Sequence, residues 1–106
     1  MNGMIQILVK HPGHPPFMVW VQNDLRTLQQ LVGGHIETVT LTEDLVLICN
    51  EEGFLQGLPD CCELCGMRLV GTIVLAGWED GKDDFLDVPM DYEGARKRFP
   101  EMWEVA

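Results

Sequence analysis

The chain has 106 residues, 46% of them hydrophobic, which supplies one core and not two. Its 17 Asp and Glu against 7 Lys and Arg give a formal net charge of -10, a balance that repels phosphates and argues against direct binding to DNA or RNA. No apolar run approaches the roughly 20 residues of a membrane span, and the start, Met1-Asn-Gly-Met, has no basic segment leading into a long apolar one, so a soluble cytoplasmic domain spanning residues 1–106 is expected.

Met4 to Lys10 alternates as a strand does, with Ile5, Ile7 and Val9 on one face and Gln6 and Lys10 on the other. His11-Pro-Gly-His-Pro-Pro16 holds three prolines and a glycine in six residues and breaks regular structure. Phe17 to Val21 resumes the β signal, and two strands so closely joined predict an antiparallel hairpin. Asn23 or Asp24 then caps a helix on which Leu25, Leu28, Leu31 and Val32 form one stripe, and Gly33-Gly34 provides a left-handed stop. This helix and the hairpin after it organise the rest of the chain.

That hairpin runs from Ile36 to Leu41, turns at Thr42-Glu-Asp44, and returns through Leu45 to Cys49, which is apolar at every position. Such a run predicts a strand covered on both faces, and it is the candidate for the centre of the sheet. Asn50 to Gly53 is a turn, and Phe54 to Pro59 is expected as an irregular apolar segment laid over the sheet. Cys61 to Met67 has no useful periodicity. Arg68 to Trp78 is the longest β-type run and predicts a second interior strand, with Gly71 and Gly77 marking a bulge or a close backbone approach. Glu79 to Asp84 is an exposed acidic loop. Asp91 caps a short helix through Ala95 to Phe99, with Arg96, Lys97 and Arg98 near its negative end, and Trp103 folds back onto the body. The expected fold is α+β: a single domain with about five strands in an antiparallel or mixed sheet, one main helix packed on it and a short C-terminal helix.

The charge is unevenly placed. Residues 1–36 hold Lys10, Arg26 and Asp24, a balance of +1, while residues 37–106 hold the other 16 acids against 5 bases, a balance of −11. A basic partner, such as the nucleic-acid groove of another protein, would be attracted to the second half. Trp78 beside Glu79, Asp80, Asp83, Asp84 and Asp87 would, if exposed, join an apolar anchor to an acidic rim, and these six residues are the expected partner-binding surface.

Four stretches together resemble a known family: Ile5-Gln-Ile-Leu-Val-Lys-His-Pro-Gly13, Leu25 through Val32-Gly-Gly-His-Ile36, Leu45 through Cys49-Asn-Glu-Glu-Gly53, and Gly57-Leu-Pro59. Val70 to Gly77 and the pair Asp84-Phe85 fit as well. The family is a small domain of unknown function found mostly in phages, plasmids and conjugative elements of Gram-positive bacteria. The resemblance implies a mobile-element setting and carries over no catalytic or ligand residues. Small acidic proteins of such elements often inhibit host defence systems, so by analogy the expected partner is a host defence protein with a basic surface, inhibited in the manner of an anti-CRISPR or anti-restriction protein. Self-association of copies is a further expected contact. The chain departs from the family pattern after Gly-Leu-Pro, where Asp60-Cys-Cys-Glu-Leu-Cys-Gly66 replaces a polar loop.

No catalytic residues are expected and the chain is read as a non-enzyme. Cys62-Glu-Leu-Cys65-Gly66 has the spacing of a zinc knuckle, so Cys61, Cys62 and Cys65 are candidate ligands of a structural zinc, with Cys49 or His11 and His14 as further ligands. Reduced surface thiols, with no cofactor at all, are the competing reading. His35 has no nucleophile or carboxylate near it in sequence, and Asp80 to Asp84 lacks the ligand pattern of a calcium loop. Two alternatives stand beside the inhibitor: a zinc-stabilised adaptor, and a nucleotide-signal sponge whose phosphate contacts would come from Arg26, Arg68 and Arg96 to Arg98.

Overall fold

The computed structural model describes residues 3–104. Met1 and Asn2, part of the start read above for a leader, lie outside them. Strands β1 (Met4–Lys10) and β2 (Phe17–Gln22) precede helix α1 (Leu25–Val32), followed by β3 (Ile36–Thr42) and β4 (Leu45–Asn50). Then come β5 (Asp60–Leu64), β6 (Met67–Val70), β7 (Ile73–Gly77), helix α2 (Tyr92–Arg98) and a 3-10 turn at Pro100–Trp103. Five strands form one antiparallel sheet in the order β2-β1-β7-β4-β3, and β5-β6 form a separate two-stranded hairpin. The α+β architecture expected from the sequence is the one observed.

The sheet is covered on both faces, and strand parity decides which residues go where. Ile5, Ile7 and Val9 of β1, Val46 and Ile48 of β4, and Val74 and Ala76 of β7 form one core under Leu28 and Val32 of α1. Leu8, Leu45, Leu47, Ile73 and Leu75 point the other way, against Leu64 and Leu69 of the hairpin and Ala95, Phe99 and Met102 near the C-terminus. Full burial of each such aliphatic side chain contributes about 1.5–3 kcal/mol. β4 is thus covered on both faces as expected, but the middle strand is β7, which is buried along its whole length and pairs with both β1 and β4.

Local chemistry explains where the elements end. The Asp24 carboxylate accepts from the Thr27 amide at 2.8 Å to start α1, and Gly33, at φ 80°, ends it. Leu25 departs from the expected stripe and is mostly exposed. Asp91 caps α2 by accepting from the Gly94 amide at 2.7 Å, and the Trp103 indole N–H donates to the Tyr92 hydroxyl at 2.8 Å, folding the C-terminus back as expected.

Two expectations about the middle of the chain fail for identifiable reasons. The run from Arg68 to Trp78 is two strands, broken where Gly71 takes φ 73° and its amide donates to the Pro59 carbonyl at 2.8 Å. Cys61 to Met67, which showed no periodicity, supplies β5 and the tip of a hairpin. Cys65 (φ 51°) and Gly66 (φ 79°) form its two-residue left-handed turn, and a register shift between Asp60 and Cys62 disturbs the alternation that a periodicity test needs. Phe54 to Pro59 is irregular as expected, in a succession of turns in which Phe54 and Leu55 are exposed and Phe54 shares a groove with Glu37, Val39 and Cys49 of the sheet.

Candidate functional site

Two acidic loops emerge at one end of the sheet. Thr42 of β3, Leu45 of β4 and Gly77 of β7 lie side by side there, so the β3–β4 turn and the loop leaving β7 emerge together. The Trp78 amide donates to the Asp44 carbonyl at 3.2 Å, and its indole N–H donates to the Thr42 carbonyl at 3.1 Å. These contacts set the Glu43–Asp44 turn beside Trp78, where the Glu79–Asp84 segment begins, and Glu43, Asp44, Glu79, Asp80, Asp83 and Asp84 are all exposed. Lys82 forms one exposed ion pair with Glu79, at 3.7 Å, leaving the patch strongly negative.

The loop is pinned at its far end by backbone pairing. Gly77 and Leu86 exchange both backbone hydrogen bonds at 2.9 Å, the Val88 amide donates to the Gln6 carbonyl at 2.9 Å, and the Asn23 side chain donates to the Phe85 carbonyl at 3.0 Å. Gly77 is required for this approach, because a methyl there would overlap the Asp87 carbonyl. Residues 79–84 are therefore a short acidic segment held between fixed ends.

Of the six residues expected to bind a partner, Glu79, Asp80, Asp83 and Asp84 stand together in this segment. Asp87 is exposed but accepts from the Gln6 amide at 2.9 Å, extending the sheet along β1. Trp78 is half-buried against the α1-side core and committed to Thr42, so it supports the loop from behind instead of anchoring a partner. The exposed tryptophan near this end is Trp20, 54% exposed on edge strand β2 opposite Gln6, with Met4 52% exposed on the same face. Sequence reading missed Glu43, Asp44 and Trp20. The first two were visible only as a turn, and Trp20 only as part of a strand whose position at the sheet edge was not known.

The candidate zinc ligands are spread along the hairpin. Cys61 and Cys62 are half-buried at the bulge of β5, while Cys65 is exposed in the turn. Among the described residues no group of three or more His, Cys, Asp or Glu could hold a metal ion. The His11 Nδ1 lies 2.7 Å from the Thr72 hydroxyl. Cys49 faces Glu37 across β3–β4, and its thiol is pushed up by burial and then by that carboxylate. The bases considered for phosphate binding lie on three separate elements: Arg26 on α1, Arg68 on β6 and Arg96 to Arg98 on α2. Arg68 is paired with Asp60 at 2.7 Å and stacked over Phe54.

No helix among the described residues is long and apolar enough to cross a membrane. Neither the curated proteins nor the solved structures give a match to the chain. A family model described as Domain of unknown function (DUF3846) matches residues 5–103, nearly the whole length, and the chain therefore belongs to the DUF3846 family.

Proposed function

We propose that this is a non-enzymatic binding protein of a phage or other mobile element, which inhibits a host defence protein by setting its acidic sheet end into a basic groove. The observation that supports this most is the convergence of two loops on one end of the sheet, where Trp78 joins Glu43 and Asp44 to the Glu79–Asp84 segment. Carboxylates fixed on backbone-pinned loops present their charge with little further ordering, so less conformational entropy opposes docking. A groove that normally takes nucleic acid is lined by Lys and Arg spaced for phosphates, and the patch offers anionic oxygens in their place. Trp20 and Met4, near the same end, supply apolar contact at the rim.

The test is capture from the lysate of a Gram-positive host on immobilised chain. The wild type retains a basic, nucleic-acid-binding defence protein that elutes as salt is raised. D80N/D83N/D84N, with an unchanged circular dichroism spectrum, loses about tenfold or more of that capture, and W20A loses about tenfold. Equal capture by the triple variant rejects this surface, and retention of no such protein rejects the reading.

A further inference from the structure

The two edges of the five-stranded sheet, β2 and β3, differ in how they are defended. An edge strand presents unpaired backbone N–H and C=O groups, and a charge or a bulge normally keeps other strands away. Edge β3 has both, in Glu37 and in the register shift between Thr40 and Thr42. Edge β2 has neither: it carries no charged side chain and pairs with β1 in unbroken register. Met4, Phe17 and Trp20, three of the six large hydrophobic side chains exposed among the described residues, stand on β2 or directly opposite it.

The parity of β2 fixes which backbone groups face outward. The Asn23 amide donates to the Gly3 carbonyl at 2.8 Å, so in the antiparallel ladder Val21, Val19 and Phe17 also turn their backbone groups toward β1. Met18 and Trp20 turn theirs away from the sheet, and no backbone group among the described residues meets them there. Gln22 has the same parity, but its carbonyl accepts from the Asp24 amide at 3.0 Å, and Pro16 has no N–H. The outward ladder is therefore confined to Met18 and Trp20. Another extended strand offers donors and acceptors at the matching spacing.

We propose that β2 is the contact between two copies of this chain, paired antiparallel about a two-fold axis through Val19. In that register Met18 and Trp20 of one copy exchange backbone hydrogen bonds with Trp20 and Met18 of the other, Phe17 lies opposite Val21, and Val19 meets itself. Sliding the strands by two residues either way sets Pro16 or the engaged Gln22 against the ladder, so this register uses both outward residues fully. Its cross-strand pairs are apolar, and the Trp20 ring meets the Met18 sulfur. Charge selects this occupant. A basic partner is drawn to the acidic sheet end, whereas two chains of net charge -10 approach with least repulsion at a neutral edge, and antiparallel pairing points their acidic ends in opposite directions. A contact of six residues a side falls below the roughly 1,200 Å² of stable complexes, so the dimer depends on concentration. It is independent of what the acidic end binds.

Sedimentation equilibrium of the reduced chain, from about 10 μM to about 1 mM, is expected to show the mass rising from one copy toward two. Met18 carries the test in place of Trp20, which also stands at the rim of the acidic end. M18P removes an outward N–H that β1 does not use and is expected to weaken association about tenfold or more. T38P, at the outward parity of β3, leaves association unchanged. Where M18P does not fold, V19C is read, because position 19 meets itself in a pair close enough for a disulfide. Mild oxidation is expected to link V19C through position 19 about tenfold faster than it links T38C or the wild type with its native cysteines. A mass that stays at one copy, association that M18P spares or T38P lowers equally, or V19C linking no faster than T38C overturns the proposal. Growth past two copies, which pairing of β2 with β3 would give, overturns it as well.

Discussion

Asn50 shows how one polar side chain holds several elements together. Its amide donates to the Val32 carbonyl at the end of α1, at 3.1 Å, and to the Gln56 side chain at 3.2 Å, while its oxygen accepts from the Glu52 amide at 2.8 Å. N50A leaves those partners without it at a site only 6% exposed, and chemical denaturation is expected to show a loss of about 2 kcal/mol. Asp24 adds a pH dependence at the other end of α1. The Thr27 amide, then the Thr27 hydroxyl, hold its carboxyl below the ordinary 3.8. A depressed folded value means that the cap's contribution is present above 3.8 and is lost as pH falls through the folded value. Acid titration of the helical signal is expected to show this step, and D24N, which keeps a capping oxygen that does not titrate, should flatten it. Sequence reading found both residues as local signals, a turn and a cap. It could not find the partners of Asn50, which lie at the end of α1 and in the turns after β4, nor the burial of Lys10, because alternation says which face a residue is on and not what covers that face.

The hairpin β5–β6 is the element least visible in the sequence and the one with the least favourable local chemistry. A two-residue left-handed turn prefers Asn-Gly or Asp-Gly, and here Cys65 occupies the first position at φ 51°. C65N is therefore expected to raise stability by about 0.5–1 kcal/mol, read as a higher denaturation midpoint with an unchanged slope. A lower midpoint, or one that fell only when zinc was supplied to the wild type, would point to a role for the Cys65 thiol that the turn does not explain. The other elements were more readable. The β1–β2 and β3–β4 hairpins, both helix starts and the stop at Gly33 follow from alternation, cap residues and glycine. The break at Gly71 was hidden because β-type residues continue on both sides of it. The central place of β7 was hidden because strand order depends on pairing between residues far apart in sequence.

At the scale of the whole molecule, the sheet brings two separate acidic loops to one end. Glu43 and Asp44 are separated from Asp80 by a long stretch of chain, yet pairing of β4 with β7 sets their loops side by side. The sequence therefore contained the charge but not its focus: four of the six expected partner residues lie in the patch, Trp78 stands behind it, and Trp20 stands on the nearby edge. Docking driven by such a patch must weaken as salt rises, because exposed charges are screened over about 8–10 Å at ionic strengths near 0.1 M. The most direct measurement follows a captured defence protein bound to fluorescent duplex DNA by anisotropy while the chain is titrated in. The wild type is predicted to displace the DNA, and D80N/D83N/D84N to need about tenfold more protein to do so under the same buffer. Displacement by the triple variant at the wild-type concentration, or none by the wild type, would contradict the account.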